Sequence, residues 1–508
     1  MQRIASQVTP KIQLTITDPS MTLLHRAGMA GLWMALKRLE QEYSSPAARP
    51  GNLTWSLSNC SISLNWEGED FKVLDWLLKQ SFQITDEGLI SLMGLNLQAQ
   101  IIVHQGITAT FLQHNKFFKS VGQAIKSVTV DGKELRVEYK KAVSYAHQDF
   151  AKHLCDQSGQ LLSEMIGVVG WLYPGAVVRH SAYKETKFEE QTKYALALLF
   201  APVACHYFVL RSDLQSQMQQ YALVIPDITD LEDYAKQRWD LMNFGYEFFH
   251  ASSLEDAGLK LLAYEKTRDR ESLTLIRRCQ VIQFGTVAWS KRQKTRTIIL
   301  TIEANEKIIN RYQLICNCFP DYEIVKFENK NFVLKSQLQG IIANNLANGL
   351  PWCKNLLEKT ETTNLLKDIN FVNPVINDIN MMYNSERDME AEKIFIKACH
   401  QALKQIYAKI YDRVKENEYA RIEQENIRII SQLRRCTNAR LFRKFIAEFW
   451  AKAGHVSILQ EHWEKLLPLS TGMSDWQLAK DLTLIAIASY PKNEKPKAGY
   501  STISEQKK

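Results

Sequence analysis

The sequence predicts an α+β N-terminal body followed by an all-α C-terminal bundle of about four helices. Three observations predict it. Short runs of alternating apolar and polar residues, mixed with helical stretches, fill the chain to about residue 340. Beyond that point the alternation stops and apolar residues step at three or four. Charge divides at the same place: the chain carries +8 overall, and residues 393–444 alone hold thirteen Lys or Arg against five Asp or Glu, so the remainder is neutral.

The elements follow in order. KIQLTITD puts Ile12, Leu14 and Ile16 on one face of a strand. Asp18-Pro-Ser-Met-Thr22 supplies a turn and an N-cap. In the helix that follows, Leu24, Gly28, Gly31 and Ala35 fall at helical spacing, a near-bare stripe that lets another backbone approach closely. At its mouth stands the pair His25-Arg26, which either fixes the helix start against a neighbouring element or touches a nucleic acid or partner subunit. Leu53-Trp55-Leu57 and Ile62-Leu64-Trp66 read as a hairpin turning at Asn59-Cys60. Further strands are expected at AQIIVHQ, at KSVTVDG-KELRVEY closing on Asp131-Gly132, and at HYFVLRS, YALVIPD, VIQFGTVAWS and RTIILTIE. Helices are expected at about 147–170, 187–200, 228–244 and 254–265. No regular βαβ period and no Gly-rich phosphate loop is present.

Asn373-Pro374 marks a boundary. After it, Phe395, Cys399, Leu403, Ile406, Ile410 and Val414 form one helix face. Ile427, Ile430 and Leu433 form another; Leu441, Phe442, Phe445, Ile446, Phe449 and Trp450 a third; Trp476 to Ala488 closes the set. The expected division is a body over 1–340, a linker over 341–380, a basic bundle over 381–490 and a disordered tail over 491–508.

Composition limits the function classes. Nine cysteines lie without a CxxC pair or a Cys/His cluster at zinc spacing, and the N-terminus has no apolar signal core, so a cytoplasmic protein is expected. There is no GxSxG, no HExxH and no paired-carboxylate motif, and His104, His114, His147, His180 and His206 are dispersed in the manner of structural histidines. No catalytic residue, metal ligand or cofactor is expected.

Three segments carry nucleic-acid chemistry instead. In FLQHNKFFKS, Asn115, Lys116 and Lys119 interleave with Phe111, Phe117 and Phe118; the rings serve either as stacking platforms or as core. WLYPGAVVRHSAYKETK follows a Pro-Gly turn with Arg179-His180, then Lys184 and Lys187: a loop fit to enter a groove, or an ordinary turn with solvated charges. WSKRQKTR packs Lys291, Arg292, Lys294 and Arg296 before a strand. On the helical bundle the basic face comprises Lys397, Lys404, Arg413, Arg421, Arg428, Arg434, Arg435, Arg440, Arg443 and Lys444. One-sided repulsion of that kind is relieved by a phosphate backbone.

Taken in order, TLLHRAGMAGLWMAL, HQGITATFLQH, WLYPGAVVRH, ALLFAPVACHYFVLR, YALVIPDITDLEDYA and VIQFGTVAWSKRQKTR resemble the large subunit of the type I CRISPR interference complex, Cascade, in its Myxan-type branch. The resemblance covers about residues 10–300 and contains no catalytic signature. It implies a non-enzymatic subunit at the foot of a crRNA-bound complex. Such a subunit recognises the protospacer-adjacent motif in duplex DNA, aids strand separation and R-loop stabilisation, and holds the displaced strand. It implies as partners crRNA, target double-stranded DNA, and the backbone, crRNA-end-binding and small subunits, with either a helicase-nuclease or a transposon targeting protein acting afterwards; no membrane is implied. The bundle resembles the Cascade small subunit, which in some relatives is also made separately by internal initiation; Met381, Met382 and Met389 are the starts available here. The competing readings are a standalone nucleic-acid-binding protein without Cascade partners and a metal-dependent nuclease.

Overall fold

The computed structural model describes residues 10–490 apart from 93–94, 114–115, 169–188, 211–219, 241–243, 269–277, 286–297, 304–305, 319–321, 328–329, 355–386, 414–417 and 472–475. It divides into two compact units. The first runs to Ile309 and takes in Tyr322–Lys335; the second comprises Asn310–Asp321 and Ser336 onward.

The first unit is α+β. Strand β1 (Ile12–Thr15) leads into α1 (Leu23–Glu42), capped by Thr22, whose hydroxyl accepts from the His25 backbone N–H. The hairpin β2 (Thr54–Leu57) and β3 (Ser61–Asn65) joins β1 in a three-stranded antiparallel sheet of order β1-β3-β2, with Ile12, Leu14, Ile62 and Leu64 buried on one face as the alternation predicts. Next come α2 (Asp70–Ser81), the short pair β4 (Gln83–Ile84) and β5 (Ile90–Ser91), and α3 (Leu97–Ala109).

The α1 stripe is packing. A Cβ on Gly28 would lie 2.0 Å from the Ala197 carbonyl oxygen, and one on Gly31 would lie 2.1 Å from that of Phe200. These carbonyls belong to α5 (Thr192–Leu199) and its exit, so two helix backbones touch where the side chains are missing.

Helix α3 corrects the strand expected at AQIIVHQ. Ile101, Ile102 and Val103 are all buried, so the run is enclosed on every side and its periodicity does not separate strand from helix. The signal that decides is local: the Asn96 side chain accepts from the Ala99 N–H at 2.8 Å and starts a helix. Gly106, with Tyr207 where a Cβ would stand, then seats the helix on a strand.

The long hairpin β6 (Phe118–Val130) and β7 (Lys133–Tyr145) closes on Asp131 (φ 49°) and Gly132 (φ 72°), the left-handed pair that a two-residue turn requires. The helix expected over 147–170 is not formed. Among the described residues of that stretch the helical pieces are a single turn at Ala146–Asp149 and the four-residue α4 (Ala151–Leu154). Asp156 accepts from the backbone N–H groups of Ser158 (2.8 Å) and Gln160 (3.0 Å), and Gly159 takes φ 78°, so the chain turns back and Cys155 bridges to Leu161.

After the pair β8 (Ile166–Gly167) and β9 (Glu189–Glu190), α5 starts at Thr192, later than expected, and α6 (Ala201–Ala204) follows. The main sheet is built from β10 (His206–Leu210), β11 (Gln220–Pro226), β12 (His250–Ala251), β13 (Arg278–Gly285) and β14 (Ile299–Glu303), in the order β12-β10-β11-β13-β14 and antiparallel except for β10 with β12. Its connecting helices are α7 (Leu231–Asp240) and α8 (Leu254–Arg268). Helix α9 (Glu306–Cys318) precedes the hairpin β15 (Tyr322–Phe327) and β16 (Lys330–Lys335), which closes this unit.

The second unit is helical. Helix α10 (Gln337–Ala347) occupies part of the stretch expected to be linker. Asn373-Pro374, Met381 and Met382 lie outside the described residues, as does the tail from 491. The bundle contains α11 (Arg387–Arg413), α12 (Glu418–Arg434), α13 (Ala439–Ala453), α14 (Ser457–Glu461), α15 (Trp463–Thr471) and α16 (Trp476–Ser489). Four of these six helices, α11, α12, α13 and α16, have 14 residues or more, which matches the expected number. Phe395, Cys399, Leu403, Ile406, Phe442, Phe445, Ile446, Phe449, Leu482 and Ile485 fill the core. Two assignments to the core stripe are corrected. Ile427 is 61 % and Leu441 41 % exposed, and Ile422 and Ile429 take the buried places on α12 instead. Met389 falls within the first turn of α11.

Candidate nucleic-acid interface

The His-Arg pair at the head of α1 is structural. The Thr22 N–H donates to His25 Nδ1 (3.2 Å), which places the imidazole proton on Nε2, 3.3 Å from Glu190 Oε1. Arg26 donates to Asp227 (2.7 Å), and Arg278 reaches the other oxygen of the same carboxylate through Nε (3.0 Å) and Nη2 (2.5 Å). Both side chains hold the helix start to neighbouring elements.

Of the dispersed histidines, His104, His147 and His206 are core groups, and His114 and His180 lie outside the described residues. His104 accepts from the Ile90 N–H at Nδ1 and meets the Lys140 carbonyl at 2.9 Å through Nε2; burial lowers its pKa to about 4, partly opposed by that carbonyl. His206 Nε2 lies 2.9 Å from the Tyr234 hydroxyl and is held neutral by burial, then by the charge of Arg238. His147 is buried, and burial lowers its pKa to about 3. Imidazoles in these settings do not take up a proton near neutral pH. Among the described residues no group of three His, Cys, Asp or Glu is placed to hold a metal ion.

The basic face of the second unit is resolved over most of its length. Lys397 and Lys404 on α11, Arg421, Arg428 and Arg434 on α12, Arg435 just after it, and Arg440, Arg443 and Lys444 on α13 are all exposed; the Arg413 side chain lies outside the described residues. Along α12 and just past its end the exposed ridge reads Arg421, Gln424, Arg428, Ser431, Arg435. Its three cations step by seven residues, about 10.5 Å of rise per step within the helix; of the two acids between the first two, Glu425 is paired with Lys452. Two acids of the bundle are engaged by other lysines, Glu425 by Lys452 and Glu390 by Lys465 (2.9 Å). Lys444 has a loose partner in Glu448 at 3.9 Å, whereas the six arginines at 421, 428, 434, 435, 440 and 443 have no ion pair among the described residues.

Four of these arginines, with Lys444, flank one corner. Arg434 ends α12 and Arg435 follows it, and Arg440, Arg443 and Lys444 lie in the first two turns of α13, which starts four residues later. Asn438 caps α13, its side chain accepting from the Leu441 N–H at 3.0 Å, and no acid follows in the first turn. Cations at a helix N-terminus oppose its dipole, by about 0.3–1 kcal/mol each at low ionic strength. Helix stability would favour acids here, so the residues chosen suit an external anion rather than the helix.

In the first unit Lys116 and Lys119 are brought into one cleft of about 400 Å³ together with Phe117, Ser144, Tyr145, Ala146, Asp149, Lys152 and His153. Phe111 of the same segment is core, while Phe117 and Phe118 are half-buried. Sequence reasoning missed Lys152 and His153, because the stretch containing them reads as the interior of a helix. The remaining candidates, Asn115, Arg179, His180, Lys184, Lys187, Lys291, Arg292, Lys294 and Arg296, lie outside the described residues. No described helix is long and apolar enough to cross a membrane.

Comparison with known proteins bears on both units. Residues 13–199, which hold α1 and the cleft, match the DevT N-terminal domain, and residues 383–508, which hold the basic bundle, match the DevT C-terminal domain. A CRISPR-associated protein Cas8a1/Csx13 of Myxococcus xanthus is 27 % identical over 518 aligned positions, spanning 94 % of this chain and 88 % of the relative. With both domains matched in order along one polypeptide, and a Cas8a1/Csx13 relative aligned across nearly the whole of it, the chain is a DevT-like, Cas8-like CRISPR-associated protein.

Proposed function

We propose that the chain is the non-catalytic large subunit of a type I CRISPR RNA-guided complex. In this reading it sits with crRNA and the backbone, crRNA-end-binding and small subunits, recognises the protospacer-adjacent motif beside the target in duplex DNA, and stabilises the separated strands. The observation that carries the DNA-holding part is the corner of α12 and α13, where exposed arginines without acidic partners meet at a helix start. Such a surface neutralises phosphates and needs no reacting group. Guide–target pairing reads the sequence, while the protein contributes a short motif contact and a grip on the backbone. The bundle α11–α16 resembles a small subunit, and the same reading has it also made separately from Met381, Met382 or Met389; intact mass of the purified complex would show that fragment, and its absence removes this part of the proposal.

The test is salt-dependent binding of target duplex by the crRNA-loaded assembly. Each lost phosphate contact flattens the slope of log K against log salt by about 0.9. Arg434→Ala with Arg435→Ala should therefore reduce the slope by about 2 and weaken retention across sequences, while Arg179→Ala should alter preference for the flanking motif. An unchanged slope, or binding that ignores crRNA and partners altogether, would refute the reading. Metal-dependent cleavage by the isolated chain would favour an enzyme instead.

A further inference from the structure

The cleft at the mouth of the β6–β7 hairpin belongs to no part of the bundle, and its construction is specific. Phe118 pairs with Tyr145 and Lys119 with Ser144, and the Ala146 N–H donates to the Phe117 carbonyl at 2.9 Å, so the hairpin is drawn closed at its base. The register shifts directly after Lys119 and again after Ser120, which leaves Val121 and Gly122 out of the ladder. On the other side the Tyr145 N–H donates to the Gln148 side chain (3.1 Å), which sets the single turn before α4 and carries Asp149, Lys152 and His153 to the opposite wall. Three lysines thus face one concavity with one carboxylate and one half-buried aromatic. Lys119 and Lys152 are exposed and have no ion pair among the described residues.

We propose that this cleft holds one nucleotide of a single-stranded nucleic acid. The lysines lie against its phosphates, Phe117 is the platform for its base, and Ser144 and Asp149 provide polar partners for its edge or sugar. The proposal deepens the nucleic-acid reading given above and rests on it for the class of ligand. Shape selects a single strand. A concavity of about 400 Å³, at the small end of the range for ligand sites, admits one unstacked unit and excludes a duplex, whose bases are paired and stacked. Cations alternating with an aromatic ring are the chemistry that single strands use, since every base has a face to stack and every phosphate a charge.

The experiment uses the full-length chain and a fluorescent ten-nucleotide single strand, as RNA and as DNA, followed by anisotropy over a salt series. Lys119→Ala with Lys152→Ala, both exposed and outside the core, should weaken binding about tenfold or more and flatten the salt slope by about 1.4, at about 0.7 per contact for single strands. Phe117→Leu should weaken binding with the slope unchanged, and photocrosslinking of a 4-thiouridine strand should map to 116–119 or 149–153. Unchanged affinity in the double variant with no crosslink in these segments would overturn the proposal, as would a free mononucleotide binding as tightly as the strand. The two readings fail separately. Arg434→Ala with Arg435→Ala should leave the crosslink in place, and loss of that crosslink only in the bundle variant would assign the strand to the bundle and overturn the cleft.

Discussion

Gly28→Ala is the sharpest test of how the first unit is held together. On an exposed helix this change gains about 1 kcal/mol from propensity alone. Here the added methyl would sit 2.0 Å from the Ala197 carbonyl oxygen and 2.6 Å from its carbon, where a carbon normally keeps 3 Å or more. The obstacle is backbone in the middle of α5 and cannot swing aside as a side-chain tip would. Helices α1 and α5 must part by about 1 Å, which loosens the contact at Gly31 as well, where the clearance is 2.1 Å. Overpacking of this kind costs about 1–3 kcal/mol, and against unyielding backbone the upper end applies, which leaves a net loss of about 2 kcal/mol after the propensity gain. At about 2–4 °C per kcal/mol for a large domain, the first thermal transition should fall by several degrees. Differential scanning calorimetry reads this directly, with Gly167→Ala as a control, because nothing lies within 4 Å of the Cβ added there. A Gly28→Ala protein as stable as the parent would refute the close-approach account of α1.

Asp227→Ala strands two guanidiniums that now share its oxygens. It should cost about 1–3 kcal/mol in chemical denaturation and leave nucleic-acid binding unchanged, because the Arg26 cluster is structural. Asp70 is buried, which would raise its pKa, but bonds from Lys11 (2.5 Å), the Leu161 N–H (2.8 Å) and Trp66 Nε1 (2.8 Å) outweigh this and lower it. The folded pKa lies below the unfolded one, so its contribution is present above about pH 4 and is lost as pH falls through the folded value. Asp70→Asn should remove that acid-side slope in urea titrations. His104 titrates the other way: with its folded pKa near 4 against about 6.5 unfolded, protons bind the unfolded chain first, and stability falls as pH drops from 6.5 towards 4. His104→Asn keeps an acceptor for the Ile90 N–H and should flatten the slope in that window; an unchanged slope would contradict neutral burial of His104.

Local chemistry by itself determined much of this protein. Alternation placed β1 to β3, Asp131-Gly132 closed the long hairpin, Thr22 began α1, and two glycines marked where a second helix backbone touches it. The split of charge along the chain points to the basic bundle by itself, because thirteen cations against five acids in one segment survive whatever packing follows. What only the tertiary structure decided lies where two conformations were locally permitted or where distant residues meet. AQIIVHQ is enclosed on all sides, a burial that only the packing shows, so its apolar periodicity carries no information and the local Asn96 cap decides for helix. The stretch after Asp149 turned back because Asp156 captured the backbone that a helix would have used. Lys116, Lys119, Lys152 and His153 share a cleft only because the hairpin returns the chain to its own starting point, a coincidence of topology that no window of sequence contains.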